Sequence, residues 1–280
     1  MSTQPNYREA VNKVYSSLRG KKRIIADRLL SEPILMIEKS IADFAKECHC
    51  DQTTVVRFAQ MLGYSGYAEL KIAVARQSEA IWQEFTPDMT EARHKSKEKD
   101  VASSLMRIHC ESITGTFRNL DQTAIRKTVS CLGKAHRVMI CGSGSSAFAA
   151  EDLSIKLSRQ GIQTCFYRDQ ELWKTFIGYL ESSDLLILFS NSGETPAIIE
   201  LAETALRKKI PVAGLVSFSG STLARLANFP ILTENRGELP IRLGAMTSRT
   251  AQFMIVDLLT ILYSMGDKKR SWNYLEKSYV

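Results

Sequence analysis

The chain has 280 residues, 44% of them hydrophobic and 24% charged, with a formal net charge of +7. These values are ordinary for a soluble globular protein, and the length points to two domains. No apolar run approaches the roughly 18 residues of a membrane span, and no signal-peptide core is present, so a cytoplasmic protein with no membrane partner is expected. The mild basic excess is compatible with a polyanionic partner without singling one out.

Six cysteines, at positions 48, 50, 110, 131, 141 and 165, form no paired framework. Cys48-His49-Cys50 places two thiols one residue apart with no second cluster, short of the four ligands of a structural zinc site. The reading assigns no metal and no cofactor.

In chain order, residues 1–85 read as consecutive short helices, Asn6 to Leu18 and Lys21 to Leu30 being separated by Gly20, with a further break beginning at Pro33. Ser40-Ile41-Ala42-Asp43 has the form of a capping box. It opens a short helix whose apolar face carries Ile41, Phe44 and Ala45. The turn Cys48-His49-Cys50 follows. Asp51 is placed to cap a second helix, Gln52 to Leu62, with Val55, Phe58, Ala59 and Leu62 on its inner face and Gly63 at its end. Two short helices joined by a tight turn match a helix-turn-helix, whose second helix enters the major groove of double-stranded DNA.

The outward residues of that second helix suit such a role. Gln52 can pair with adenine, Thr53 can meet a base or phosphate, and Arg57 can reach guanine or the backbone. Lys21, Lys22, Arg23 and Lys71 offer further phosphate contacts. The alternative is a helical hairpin used only for packing. Residues 1–85 carry 12 Lys and Arg against 10 Asp and Glu, so binding would rest on local placement and not on bulk charge.

Residues 40–70 resemble the DNA-binding domain of RpiR-type bacterial transcriptional regulators. The likeness lies in Ala42, Phe44 and Ala45, then Thr54-Val55-Val56-Arg57-Phe58, Leu62-Gly63-Tyr64-Ser65-Gly66-Tyr67 and Leu70-Lys71. Cys50-Asp51 departs from the Val-Ser common in that family, and the Asp51 charge disfavours a nearby phosphate.

Thr86-Pro87-Asp88 reads as a turn, and the charged run from Ala92 to Asp100 as a linker or exposed helical arm. Val101 to Leu132 carries helical spacing. From Arg137 strands alternate with helices. Strands are expected at Val138–Cys141, Thr164–Tyr167, Leu185–Phe189, Val212–Val216 and Pro230–Leu232. The intervening helices fall at Ser146–Gln160, near Leu172–Leu180, at Pro196–Arg207 and at Ser221–Leu226, and a long helix runs from Leu243 to Met265. The expected fold is an all-α helix-turn-helix domain (1–85), a connector (86–132), and a three-layer α/β domain with a parallel sheet (133–280).

Two loops after strands carry the chemistry. Gly142-Ser143-Gly144-Ser145-Ser146 supplies glycines for close approach and serines at a helix N-terminus. Continued to Ala147 it also fits the dinucleotide pattern G-x-G-x-x-A, with Asp169 where a ribose-binding acid can sit and Arg168 where a 2′-phosphate can be met. The second loop, Ser190-Asn191-Ser192-Gly193-Glu194-Thr195, holds three hydroxyls ahead of Pro196. A dinucleotide does not require it, whereas one compact phosphate is well served by both loops. The pair resembles the SIS domain, a sugar-phosphate isomerase and binding fold that RpiR-type regulators carry behind their helix-turn-helix. That resemblance implies contacts to a phosphorylated sugar from Ser146, Ser190, Ser192 and Thr195; Gly142, Gly144, Ser145 and Gly193 complete the expected cradle. The likeness extends to Thr247-Ser248-Arg249-Thr250-Ala251-Gln252 and Asp257-Leu258-Leu259.

An aldose–ketose isomerase needs a general base beside the sugar. All four histidines, at 49, 94, 109 and 136, precede the first glycine loop, leaving Glu194 and Glu238 as candidates. Glu238 either hydrogen-bonds a sugar hydroxyl or is simply solvated. With the resemblance added, the expectation is a non-enzymatic regulator of carbohydrate metabolism, with a sugar-phosphate enzyme as the alternative; the resemblance also implies a homodimer or dimer of dimers on operator DNA.

Overall fold

The computed structural model describes residues 6–15, 17–85, 97–234 and 245–277. Its elements divide into two units, with the boundary inside one helix between His109 and Cys110.

The first unit is helical. It contains α1 (Tyr7–Tyr15), α2 (Lys21–Ser31), α3 (Pro33–Glu38), α4 (Ile41–Glu47), α5 (Gln52–Met61) and α6 (Tyr67–Phe85). Ile25, Leu29, Met36, Phe44, Phe58 and Leu70 form its fully buried centre. The expected break falls at Glu32, and Pro33 occupies the first turn of the helix beyond it, α3, where a missing N–H costs nothing and its fixed φ is already helical.

Two helices follow, α7 (Lys97–Arg118) and α8 (Gln122–Leu132). The helix expected from the spacing of Val101 to Leu132 is thus interrupted at Asn119–Asp121. The Asp121 carboxylate accepts the amides of Thr123 and Ala124, starting a new helix. Ala124, Ile125 and Leu132 of α8 belong to the core beneath the sheet of the second unit.

That sheet comprises β1 (Val138–Gly142), β2 (Thr164–Phe166), β3 (Leu185–Phe189), β4 (Val212–Val216) and β5 (Phe229–Leu232). All pairings are parallel, in the order β2-β1-β3-β4-β5. Strands β1, β3 and β4 are buried at every position. They read as unbroken apolar runs because helices cover both faces. Val138, Ile140, Leu185, Ile187 and Phe189 face α8, α9 (Ser146–Ser158) and α13 (Thr247–Gly266). Met139, Cys141, Leu186 and Leu188 face α10 (Gln170–Tyr179), α11 (Pro196–Arg207) and α12 (Thr222–Leu226). Alternate residues of each strand therefore feed two separate cores, the period-two geometry of a strand.

The final helix, α14 (Lys268–Lys277), lies beyond the last expected element and buries only Ser271. Among the described residues no helix is long and apolar enough to cross a membrane. Ile187 is fully buried at the sheet centre. Ile187→Ala is expected to lower the unfolding free energy by about 2–5 kcal/mol, read from the midpoint of a urea titration.

Candidate functional site

The helix-turn-helix is built by two side-chain caps. Ser40 accepts the Asp43 amide at 3.2 Å at the start of α4. Asp51 accepts the Thr54 amide and hydroxyl, each at 2.8 Å, at the start of α5. The Thr54 hydroxyl, then its amide, hold the Asp51 carboxyl below its ordinary value. Between them His49 takes φ 50°, a left-handed turn residue. Cys48 is buried, and burial pushes its thiol up to about 12, so it sits protonated in the core.

On α5, Val55, Phe58 and Ala59 are buried, whereas Gln52, Thr53, Arg57 and Gln60 are exposed. Thr53, Arg57 and Gln60 follow i, i+4, i+7 spacing and share one face. Gln60 was not among the expected contacts, although this spacing already pointed to it. The other basic residues are more engaged. Lys21 lies 3.7 Å from Asp51, and Lys71 donates to the Lys39 carbonyl at 2.9 Å. Arg23 stacks on the Tyr15 ring at 3.6 Å, donates to the Tyr15 carbonyl and pairs with Asp27. Its guanidinium serves the packing of α2 against α1, which a run of three basic residues does not reveal. Lys22 is half-buried on α2.

In the second unit, Gly142 at the end of β1 is the register partner of Phe189 at the end of β3. The chain leaves β1 for one side of the sheet and β3 lies on the other, so the crevice between their loops is the topological switch point. Both predicted loops border it. At Gly142 a Cβ would lie 2.7 Å from the Ser146 carbonyl oxygen, so glycine lets α9 begin this close to β1. Gly144 is exposed, Ser145 half-buried and Ser146 buried. The Ser146 hydroxyl accepts a 3.1 Å bond from the Gln252 side-chain amide of α13. The stretch Thr247–Gln252 stood out in the sequence, but this partnership was not legible there. At the same helix start, the Thr247 hydroxyl is fully buried and without a hydrogen-bond partner.

The second loop folds on its own hydroxyls. Ser190 is buried, accepts the Gly193 amide at 3.1 Å and bonds the Thr195 hydroxyl at 3.0 Å. Ser192 is exposed and accepts the Glu194 amide at 3.2 Å. Thr195 is the N-cap of α11, with Pro196 in its first turn. Gly193 has φ 68°, and a Cβ there would fall 2.2 Å from the Ser221 hydroxyl oxygen. Its carbonyl accepts the Leu223 amide, the Glu194 carboxylate accepts the Thr222 amide at 2.5 Å, and Ser221 accepts the Ala224 amide. The first amides of α12 are therefore satisfied by this loop. Glu194, a candidate base from sequence, acts as a helix cap.

The features that favoured a dinucleotide are likewise structural. Asp169 caps α10 through the Glu171 amide, and Arg168 pairs with Glu151. Glu238 lies outside the described residues. His136 is exposed just before β1, at the sheet edge opposite the loops.

Gly193→Ala is expected to lower the melting temperature by several degrees, since positive φ and the Ser221 collision each carry strain of about 1–3 kcal/mol. Gly178→Ala, in α10 with open space around it, is expected to leave stability unchanged or slightly improved.

Residues 5–80 match the helix-turn-helix domain of the rpiR family, and residues 132–262 match the SIS domain. An uncharacterized HTH-type transcriptional regulator of Thermotoga maritima is 28% identical over 96% of this chain and 95% of its own length. The HTH-type regulator YbbH of Bacillus subtilis is 28% identical over 93% and 91%. The structure of Vibrio vulnificus NanR complexed with ManNAc-6P aligns over 98% of this chain and 97% of that one, with TM-score 0.63 and 22% identity, a likeness of fold.

Proposed function

The chain belongs to the rpiR family of helix-turn-helix regulators with a C-terminal SIS domain, and from that premise we propose that it controls genes of carbohydrate metabolism by sensing a phosphorylated sugar. The observation that carries this reading is the pairing of two hydroxyl-bearing loops at the β1–β3 switch point. Such a crevice collects N–H and O–H donors around one compact anion. The sugar phosphate bound to Vibrio vulnificus NanR supports the same ligand class.

In this reading residues 1–85 bind operator DNA, 86–132 connect, and 133–280 hold the effector. Gln52, Thr53, Arg57 and the added Gln60 face base edges, with Lys21, Lys22 and Lys71 nearer the phosphates. Gly142, Gly144, Ser145, Ser146, Ser190, Ser192, Gly193 and Thr195 cradle the effector, and Glu238 meets a sugar hydroxyl. A homodimer presents two recognition helices to a pseudo-palindromic operator about one DNA turn or a multiple apart. The effector shifts the population between DNA-competent and incompetent arrangements by its differential affinity for them. Catalysis is disfavoured by the capping role of the Glu194 carboxylate and the remoteness of His136 from the loops.

Arg57→Ala is expected to weaken operator binding by about 1–3 kcal/mol, with effector-induced thermal stabilisation intact. Fluorescence anisotropy on an operator selected from a randomised duplex pool measures the first quantity and a thermal-shift assay the second. Ser192→Ala should abolish the effector's influence on operator binding while sparing affinity without effector; an unchanged response places the effector elsewhere. Turnover of hexose phosphates by the purified protein would replace the regulator reading with the isomerase one.

A further inference from the structure

We propose that Gln252 is a positioning residue of the anion cradle, fixing the Ser146 hydroxyl so that its proton is presented to the phosphate; this rests on the sugar-phosphate reading above.

A serine hydroxyl has one proton and two lone pairs. Phosphate oxygens at neutral pH chiefly accept, so every hydroxyl facing them must donate. A free hydroxyl rotates and presents a lone pair as readily as a proton. One whose oxygen already accepts from a fixed N–H has one lone pair occupied and its rotation restricted, so its proton is held in the remaining directions and favoured toward an anion there. The second loop does this locally at Ser192, which accepts the Glu194 amide, and at Ser190, which accepts the Gly193 amide and also shares a bond with the Thr195 hydroxyl. Among the described residues no neighbouring backbone amide is recorded donating to the Ser146 hydroxyl. Its oxygen accepts instead from the Gln252 side chain, across 106 residues of sequence.

Gln252 is 1% exposed and Ser146 7% exposed, so water does not readily substitute for the amide. Among the described residues the Gln252 bond is the one recorded at the Ser146 hydroxyl, which leaves the proton without an internal acceptor. Ser146 is also the first residue of α9, where the helix dipole favours an anion. The amide thus commits a third serine, on the first loop, to the donor polarity that the backbone imposes on the second.

The test is a double-mutant cycle with Gln252→Met, which keeps the volume and removes the donor, and Ser146→Ala. Affinity for N-acetylmannosamine 6-phosphate, glucose 6-phosphate and inorganic phosphate is measured by calorimetry, with circular dichroism and melting temperature as fold controls. Gln252→Met should weaken phosphate-dependent binding about tenfold in the wild-type background and leave Ser146→Ala unchanged. Gln252→Leu, which also lacks a donor and cannot gain one by protonation, should lose as much as Gln252→Met and provides the readout if Met perturbs the fold. Equal losses from Gln252→Met with and without Ser146, or unaltered affinity in either Gln252 variant, overturns the proposal alone. Failure of the wild-type chain to bind any of the three phosphates overturns the sugar-phosphate reading itself.

Discussion

The parallel pairing of β1 with β3 is the constraint on which the rest of the second unit depends. It makes Gly142 and Phe189 neighbours, so the loops that follow emerge side by side at one edge of the sheet. Right-handed crossovers then send the chain to opposite sides of β1, with β2 on one flank and β3 on the other. A crevice opens where the two courses part. Nothing in either loop alone creates it. The apolar strands keep the edge rigid, since each is buried on both faces and supplies two cores at once.

Around that crevice the loops settle their own polar groups before any ligand is considered. Gly193 lets the second loop approach Ser221, and its carbonyl and the Glu194 carboxylate take up the first amides of α12. A loop this tied down presents its serines in defined orientations, which is what anion recognition without large rearrangement requires. The same bonds remove Glu194 from the pool of plausible bases.

The local signals in the sequence coincide with the elements of the structure. Ser40 and Asp51 cap α4 and α5, and the five apolar runs became five strands. Local signals are ambiguous where one residue type serves two ends. Pro33 starts a helix although proline also ends them, and Asp121 starts a helix inside a stretch whose apolar spacing continues without a break. Arg23, a candidate phosphate contact by its charge, also stacks on the Tyr15 ring, which a basic run does not display.

By itself the sequence determined the two-part organisation, the helix-turn-helix and the identity of both glycine- and serine-rich loops, since caps, periodicity and turn residues act over a few positions. The tertiary structure alone decided that these loops meet at the β1–β3 crevice, that Asp169, Arg168 and Glu194 are occupied structurally, and that Gln252 reaches Ser146. The reason is physical. Strand order and side-chain partnership across a hundred residues follow from how apolar faces are buried together, and no local spacing encodes which distant donor will fill a given lone pair.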